Sequence, residues 1–325
     1  MSGGFNSVLT GTHLTRSDIW STTLKETLED SLQATAYVNW LNEFPDGDTF
    51  NIPSIGDATV DDYAENEQIK YNALDTGNFQ FSITEYLSSG TYITNKAKQD
   101  MFYMSQLVGQ FVPKQERAIM ERVEGDIFAL QSQQTDGAGN ANLINGFAHR
   151  MVAQDSTTFT GKNILETADF SRAKLSLRKA NVPMNNLVAI VDPTTAHHME
   201  SLTNLTNVSN NPQWEGIIES GISTGMRFIR NIYGFDVYES NFLAESGAET
   251  IGSDSVVAGG TANLFFSADQ SILPFTGAWR QMPTVDSEYN KDLQREEYVT
   301  TARYGVKLFR PENLVVVLSD TVGVV

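Results

Sequence analysis

Leu187-Val188-Ala189-Ile190-Val191-Asp192-Pro193 is the phrase on which the fold turns. Five consecutive apolar residues, three of them β-branched, fit a short strand covered on both faces. Asp192 then supplies an N-cap and Pro193 a first-turn residue whose missing N–H has no helical partner to lose, so a helix follows through about Leu205. Upstream, Thr167 caps a helix with Phe170, Ala173, Leu177 and Ala180 on one side and Arg172, Lys174, Arg178 and Lys179 around the rest. Helix, buried strand and helix make an α/β unit centred on residues 165–240. Downstream, a short helix is expected around Trp214 to Ser220. Strands over Arg227–Arg230 and Phe235–Glu239 meet at Tyr233-Gly234.

Toward the N-terminus the pattern changes. The first fifteen or so residues are Gly, Ser, Thr and Asn with little periodicity and read as a mobile arm. Ser17 or Asp18 opens a helix carrying Trp20, Leu24, Leu28 and Leu32. From Phe44 to Tyr92 the period is two: Phe50/Ile52 and Phe79/Phe81/Ile83 alternate with polar residues. Between them lie Asp57, Asp61, Asp62, Glu65, Glu67 and Asp75 against the single Lys70. This predicts a long hairpin with an acidic tip, marginal unless something packs on it. Ala97, Met101, Met104, Val108 and Phe111 mark one helix. Pro113 opens a second, with Ile119, Val123, Ile127 and Leu130 inward and Glu116, Arg117, Glu121, Arg122, Glu124 and Asp126 mostly outward.

Toward the C-terminus, a Gly/Ser-rich loop, Ser246 to Gly260, precedes a strand at Leu264-Phe265-Phe266. Tyr298, Ala302, Tyr304, Val306 and Leu308 alternate along a long strand, and Arg310-Pro311-Glu312-Asn313 turns the chain into a last one, Leu314 to Leu318. Helices and strands are unsegregated, so the class is α+β.

The chain has 325 residues, 22 Lys+Arg against 40 Asp+Glu, a net charge of −18 and no cysteine. Disulfides, thiolate metal sites and thiol nucleophiles are excluded. No apolar run approaches the roughly 20 residues that cross a bilayer, and Met1-Ser2-Gly3-Gly4-Phe5 lacks the start of a signal peptide. The expectation is a soluble protein without a membrane, made in the cytoplasm. Its acidity opposes binding to a polyanion, and no basic patch interleaved with aromatics is present.

Motifs for chemistry fail on context. Gly221-Ile222-Ser223-Thr224-Gly225 matches a nucleophile elbow, but a helical stretch precedes it, and all four histidines (His13, His149, His197 and His198) come earlier in the chain. Gly137-Ala138-Gly139 lacks the rest of a phosphate loop. His197 and His198, adjacent on a helix, point about 100° apart, which suits no single metal. No catalytic, metal or cofactor-binding residue is assigned.

The order of elements carries more. An arm, an acidic β excursion, a long amphipathic helix, an α/β unit and a closing strand pair resemble the major capsid protein of tailed bacteriophages, with the Hong Kong 97-type fold. The local phrases behind the resemblance are Leu187–Pro193, Ile232-Tyr-Gly234-Phe-Asp-Val-Tyr-Glu-Ser240-Asn241, and Tyr304-Gly305-Val306-Lys307 with Arg310-Pro311-Glu312. The resemblance implies an N-terminal arm over 1–43 and an extended loop over 44–95. Residues 96–184 would hold the spine helix (about 113–134) and the first part of the P-domain, 185–270 the A-domain, and 271–325 the closing P-domain strands.

It also implies a structural protein and no enzyme, assembling as hexamers and pentamers into an icosahedral shell. That shell would enclose double-stranded DNA without reading its sequence. A scaffolding protein, a portal protein and a decoration protein are the implied partners, the location is the virion, and assembly takes place in the host cytoplasm. The acidic hairpin would lie across a neighbour, Asp57, Asp61, Asp62, Glu65 and Glu67 approaching Arg117, Arg122 or Arg178 of that subunit. Autocatalytic cross-linking through Lys70 finds no matching Asn. Alternatives are an encapsulin-like nanocompartment shell of the same fold, a metal-dependent enzyme working through carboxylates, and a tail or adhesion protein.

Overall fold

Strands buried at every residue lie at the centre of one sheet, and long strands with alternating burial lie in another. The computed structural model describes residues 32–41, 49–56, 60–69, 71, 76–100, 104–135, 142–156, 161–201, 228–251, 254–256 and 260–321. All of these fall in one compact unit, Ser31–Val325. The expected arm, the body of its helix, the Gly137–Gly139 loop, the helix near Trp214 and the Gly221–Gly225 motif lie outside the described residues.

In chain order the first strands are β1 (Val38–Leu41), β2 (Thr49–Ile55), β3 (Thr76–Ser82) and β4 (Glu85–Thr94). Helices α1 (Asn95–Asp100) and α2 (Met104–Ala129) follow, then β5 (Leu143–Ile144), β6 (Phe147–Ala148), β7 (Arg150–Val152) and α3 (Thr167–Lys179). Next come β8 (Leu187–Val191), α4 (Pro193–Ser201), β9 (Phe228–Ile232), β10 (Phe235–Glu239), β11 (Glu245–Ser246), β12 (Glu249–Ile251) and β13 (Asp254–Val256). The last are β14 (Gly260–Ser267), β15 (Phe275–Asn290), β16 (Arg295–Leu308) and β17 (Leu314–Ser319).

The first sheet runs β7-β17-β14-β8-β10-β9, with β11 beside β14. The expected strand at 187–191 is its β8, parallel to β10 and antiparallel to β14. Its uninterrupted apolarity has a direct cause: alternate residues of each central strand enter two different cores. Val188, Ile190, Leu264, Phe266, Leu314 and Val316 pack with Val123, Ile127 and Phe128 of α2. Leu187, Ala189, Val191, Phe265, Val315 and Val317 pack with Phe170, Ala173 and Leu177 of α3. Helices on both faces are what allow strands without a polar side.

Residues 314–319 depart from expectation. They do not close a peripheral sheet with 298–308 but lie between β7 and β14. Each of the six is buried, and only a place between two covered faces accommodates that.

The second sheet, β1-β15-β16-β4, is built on the antiparallel β15–β16 pair, which runs from Phe275↔Leu308 to Asn290↔Arg295 with register shifts on either side of Gln281. The alternation expected in β16 holds: Ala302 and Tyr304 are buried, and Tyr304 donates its hydroxyl to Asp126 of α2. The period-two stretch through Tyr92 does not prolong the hairpin. Glu85–Thr94 pairs with β16 instead, as the edge strand of the four-stranded sheet, with its alternate residues partly buried.

Pro113 does not open a helix. It sits inside α2, which starts nine residues earlier and continues after Ala129 as a 3-10 turn, Leu130–Gln133. A proline there has no N–H to give the carbonyl of Gly109, so α2 runs on without that one helical hydrogen bond, and the Pro113 ring is exposed. The cap of α3 is Glu166, one residue before Thr167, with the Asp169 carboxylate accepting the Glu166 N–H at 3.1 Å. Asp192 caps α4 as expected, accepting from Thr194 N–H at 2.8 Å. The loop after Ser246 contains the small β12–β13 hairpin.

Candidate inter-subunit surfaces

The hairpin is firm at its base and bare at its tip. β2 and β3 pair with Phe50 opposite Phe81 and Ile52 opposite Phe79. Phe81 and Ile83 are buried against Ala278, and the Phe79 ring meets the Phe309 ring edge-on at 4.9 Å. Lys307 Nζ lies 4.9 Å from the centre of the Phe79 ring and donates to the Gln80 carbonyl at 2.9 Å. Gly305 makes the crossing possible, since a Cβ there would stand 2.7 Å from the Ser82 carbonyl oxygen.

Beyond β2 the chain turns with Asn66 in the left-handed region (φ 69°) and Glu67 N–H donating to the Ala64 carbonyl. Asp61, Asp62, Glu65 and Glu67 are all exposed, and Asp57 and Lys70 lie outside the described residues. Composition did not point to the tip's apolar side. Val60 is 95% exposed, Tyr63 69%, Ile69 64% and Tyr71 93%. Two bare aromatics and two bare aliphatics in the segment between β2 and β3 leave apolar side chains unburied in the single chain.

The three arginines named as partners of this tip are placed differently from one another. Arg117 Nε pairs with Glu121 at 3.0 Å and Arg122 Nε with Asp126 at 3.1 Å, each along α2. The Arg122 side chain is 65% exposed and that of Arg117 26%. Arg178 is exposed in the last turn of α3. Around that helix Arg172 pairs with buried Asp169 at 3.0 Å, and Lys174 donates to the Tyr233 carbonyl. Burial pushes the Asp169 carboxyl above the usual carboxylate range.

A second contact region escaped the sequence altogether. Glu124, counted among the outward residues of α2, is fully buried. Its carboxylate accepts the backbone N–H of Gln33 at 2.7 Å and of Ala34 at 2.9 Å. The chain is thus held to α2 at Gln33 and Ala34. Just beyond, Tyr37 packs edge-on against Phe266, and Trp40 stacks on Trp279 at 5.1 Å. Burial, with nearby Tyr238, Asp236 and Glu124, pushes the Tyr37 hydroxyl up to about 12.

Of the histidines, His149 is fully buried and His198 nearly so, while His197 is exposed. Burial lowers the pKa of both His149 and His198. Among the described residues no group of three His, Asp or Glu is arranged to hold a metal, and no helix is long and apolar enough to cross a membrane.

Comparison with known proteins agrees with this architecture. No curated protein sequence matches the chain. Many solved structures share its fold, three of them as follows. That of Mycobacterium phage Che8 has a TM-score of 0.68 at 17% identity, covering 94% of this chain and 97% of its own. The capsid of cyanophage P-SCSP1u has a TM-score of 0.68 at 13% identity, covering 97% and 95%. The mature capsid of bacteriophage PhiM1 has a TM-score of 0.67 at 10% identity, covering 95% and 93%. The fold is the Hong Kong 97-type fold of phage capsids, an α+β architecture as expected. A family model described as phage capsid protein matches residues 78–317. With three quarters of its length in that match, the chain belongs to the phage capsid protein family and is a subunit of a phage shell.

Proposed function

We propose that the chain builds an icosahedral shell around a double-stranded DNA genome by exchanging its hairpin and arm with neighbouring copies, with no chemical step. The observation that carries this reading is the hairpin tip. Val60, Tyr63, Ile69 and Tyr71 are bare on an element too thin to bury them, and a second subunit supplies the missing cover. The carboxylates around them, Asp57, Asp61, Asp62, Glu65 and Glu67, set register and encounter rate against cations of that neighbour. Of the three helix arginines, Arg178 and Arg122 are open to an approaching chain; Arg117 is more enclosed by its own helix. The net charge of −18 lets DNA pack against the shell without adhering.

The elements support a revised division: a hairpin over 49–82, a P-domain built on α2 and the β1-β15-β16-β4 sheet, and an A-domain built on the seven-stranded sheet. A separate scaffolding protein, a portal and a decoration protein are the proposed partners, with assembly in the host cytoplasm. The test is electron microscopy with light-scattering mass on purified protein, alone and with the candidate scaffold. Closed shells, or hexamers and pentamers, are expected. Replacing residues 57–75 by a short Gly-Ser turn should leave folded monomers that no longer associate. Shells formed as well by that variant would overturn the exchange.

A further inference from the structure

Asn145-Gly146 is the only Asn-Gly pair in the sequence, and it forms the whole turn between β5 and β6. Ile144 pairs with Phe147 across it, and both turn residues have positive φ, 50° at Asn145 and 80° at Gly146. That is the two-residue hairpin turn that Asn-Gly favours. Both residues are exposed.

The Asn145 side chain has a second task. Its Nδ2 donates to the carbonyl of Lys179, the last residue of α3, at 2.7 Å. In a continuing helix that carbonyl would accept from the residue four places on, which is Pro183 and carries no N–H. The two carbonyls before it are served from within the chain, Leu177 by Val182 N–H and Arg178 by Asn181 N–H, each at 3.1 Å. The small β5–β6 hairpin thus supplies the donor that the helix end lacks. Lys179 holds the hairpin a second time, with Nζ 5.3 Å from the centre of the Phe147 ring, and Ser176 Oγ donates to the Ala148 carbonyl at 2.9 Å.

We propose that Asn145 is a site of spontaneous modification, gated by this turn. When the turn opens, the main-chain nitrogen of Gly146 loses its proton and attacks the side-chain carbonyl carbon of Asn145. A new C–N bond closes a cyclic imide, the bond from that carbon to Nδ2 breaks, and the nitrogen leaves with the proton as ammonia. Water then adds to one of the two ring carbonyls and opens the ring, leaving aspartate or isoaspartate. One water is consumed and one ammonia released, with no oxidant and no cofactor. Gly146 suits the attack because it has no Cβ to crowd the ring.

The folded turn holds the reaction back. The ring closes only at a negative ψ of Asn145, whereas the left-handed region keeps ψ at about +30 to +60°. The bond to Lys179 fixes the amide as well. Once made, the change is one-way. Isoaspartate adds a methylene to the main chain, which a two-residue turn holding Ile144 against Phe147 does not accommodate. Aspartate loses the donor and sets a negative charge against a carbonyl at the negative end of α3. Arg178 and Lys179 attract that charge, but Lys179 Nζ is already placed over Phe147. The modification therefore marks subunits whose β5–β6 hairpin has opened, whether or not the long hairpin is exchanged between copies.

The test is peptide mapping by mass spectrometry on the full chain, held at mildly alkaline pH in buffer and in urea. Asn145 should gain about 1 Da as a mixture of aspartate and isoaspartate, about tenfold or more faster in urea than in buffer. Phe147→Ala, which removes the ring beneath Lys179, should raise the rate in buffer severalfold. Asn145→Asp should speed amide hydrogen exchange across Leu143–Ala148 about tenfold. Circular dichroism checks that both variants are folded, and the comparison of buffer with urea needs neither. No gain of mass at Asn145 in urea overturns the site. Equal rates in buffer and urea overturn the gate, and unchanged hydrogen exchange in Asn145→Asp overturns the one-way consequence.

Discussion

Glu124 illustrates how a single residue can matter more than its type suggests. A carboxylate on a helix is ordinarily solvated, yet this one is buried and accepts the backbone N–H groups of Gln33 and Ala34. Removing it strands both donors in the interior, at about 1–3 kcal/mol each. We expect Glu124→Ala to lower unfolding stability by about 3 kcal/mol in urea titration and to expose the bonds around residue 33 to protease. Two glycines give a paired expectation. At Gly305 a Cβ meets the fixed backbone of Ser82 and Ile83, whereas at Gly125, inside α2, it meets nothing within 4 Å. Gly305→Ala should cost about 1–3 kcal/mol and loosen the hairpin base. Gly125→Ala should add about 0.5–1 kcal/mol. Thermal unfolding of both variants checks the pair.

At the scale of elements, what was legible in the sequence followed what periodicity records. The buried strand at 187–191, the alternation of 298–308, the stripe Ile119-Val123-Ile127-Leu130 and the Tyr233-Gly234 turn each leave a local pattern, and each is present. Adjacency leaves none: nothing in Leu314–Ser319 says that its neighbours are residues 150–152 and 260–267. The long strand β15 escapes such a reading because Gly277, the bulges beside Gln281 and Pro283 break its pattern, although Gly277 is where Trp40 presses closest. The acidic half of the candidate tip could be read from charge, but its bare tyrosines could not, since a tyrosine in a polar stretch is as often covered as bare. Pro113 misled for a related reason. Its preference for a first turn is statistical, and an exposed interior place is also open to it. Pro113→Ala restores a donor to α2 and should raise the stability of the isolated subunit by up to about 3 kcal/mol in urea titration.

For the whole molecule the dominant quantity is charge. A subunit at −18 has no electrostatic reason to hold a polyanion, because such binding depends on releasing counterions with clustered cations. Assembled or not, the protein should leave the gel mobility of duplex DNA unchanged even at about 50 mM salt, where charge-driven binding is strongest. Retarded DNA would contradict the role given to the acidity. Like charge also sets subunits against one another. Added salt should therefore speed shell formation first, by screening that repulsion, and slow it later as the contacts between tip and arginines weaken.

The position of β17 has a consequence for the order in which the subunit becomes complete. It lies inside the seven-stranded sheet, yet every other strand of that sheet is synthesised before it. Until residues 314–319 clear the ribosome, β7 has no partner in this sheet and β14 keeps an open edge, with Phe265 and Phe266 lacking the apolar strand that covers them. A chain cut before Leu314 is therefore expected to leave this sheet unfinished, with an open strand edge, which limited proteolysis of such a truncation would show.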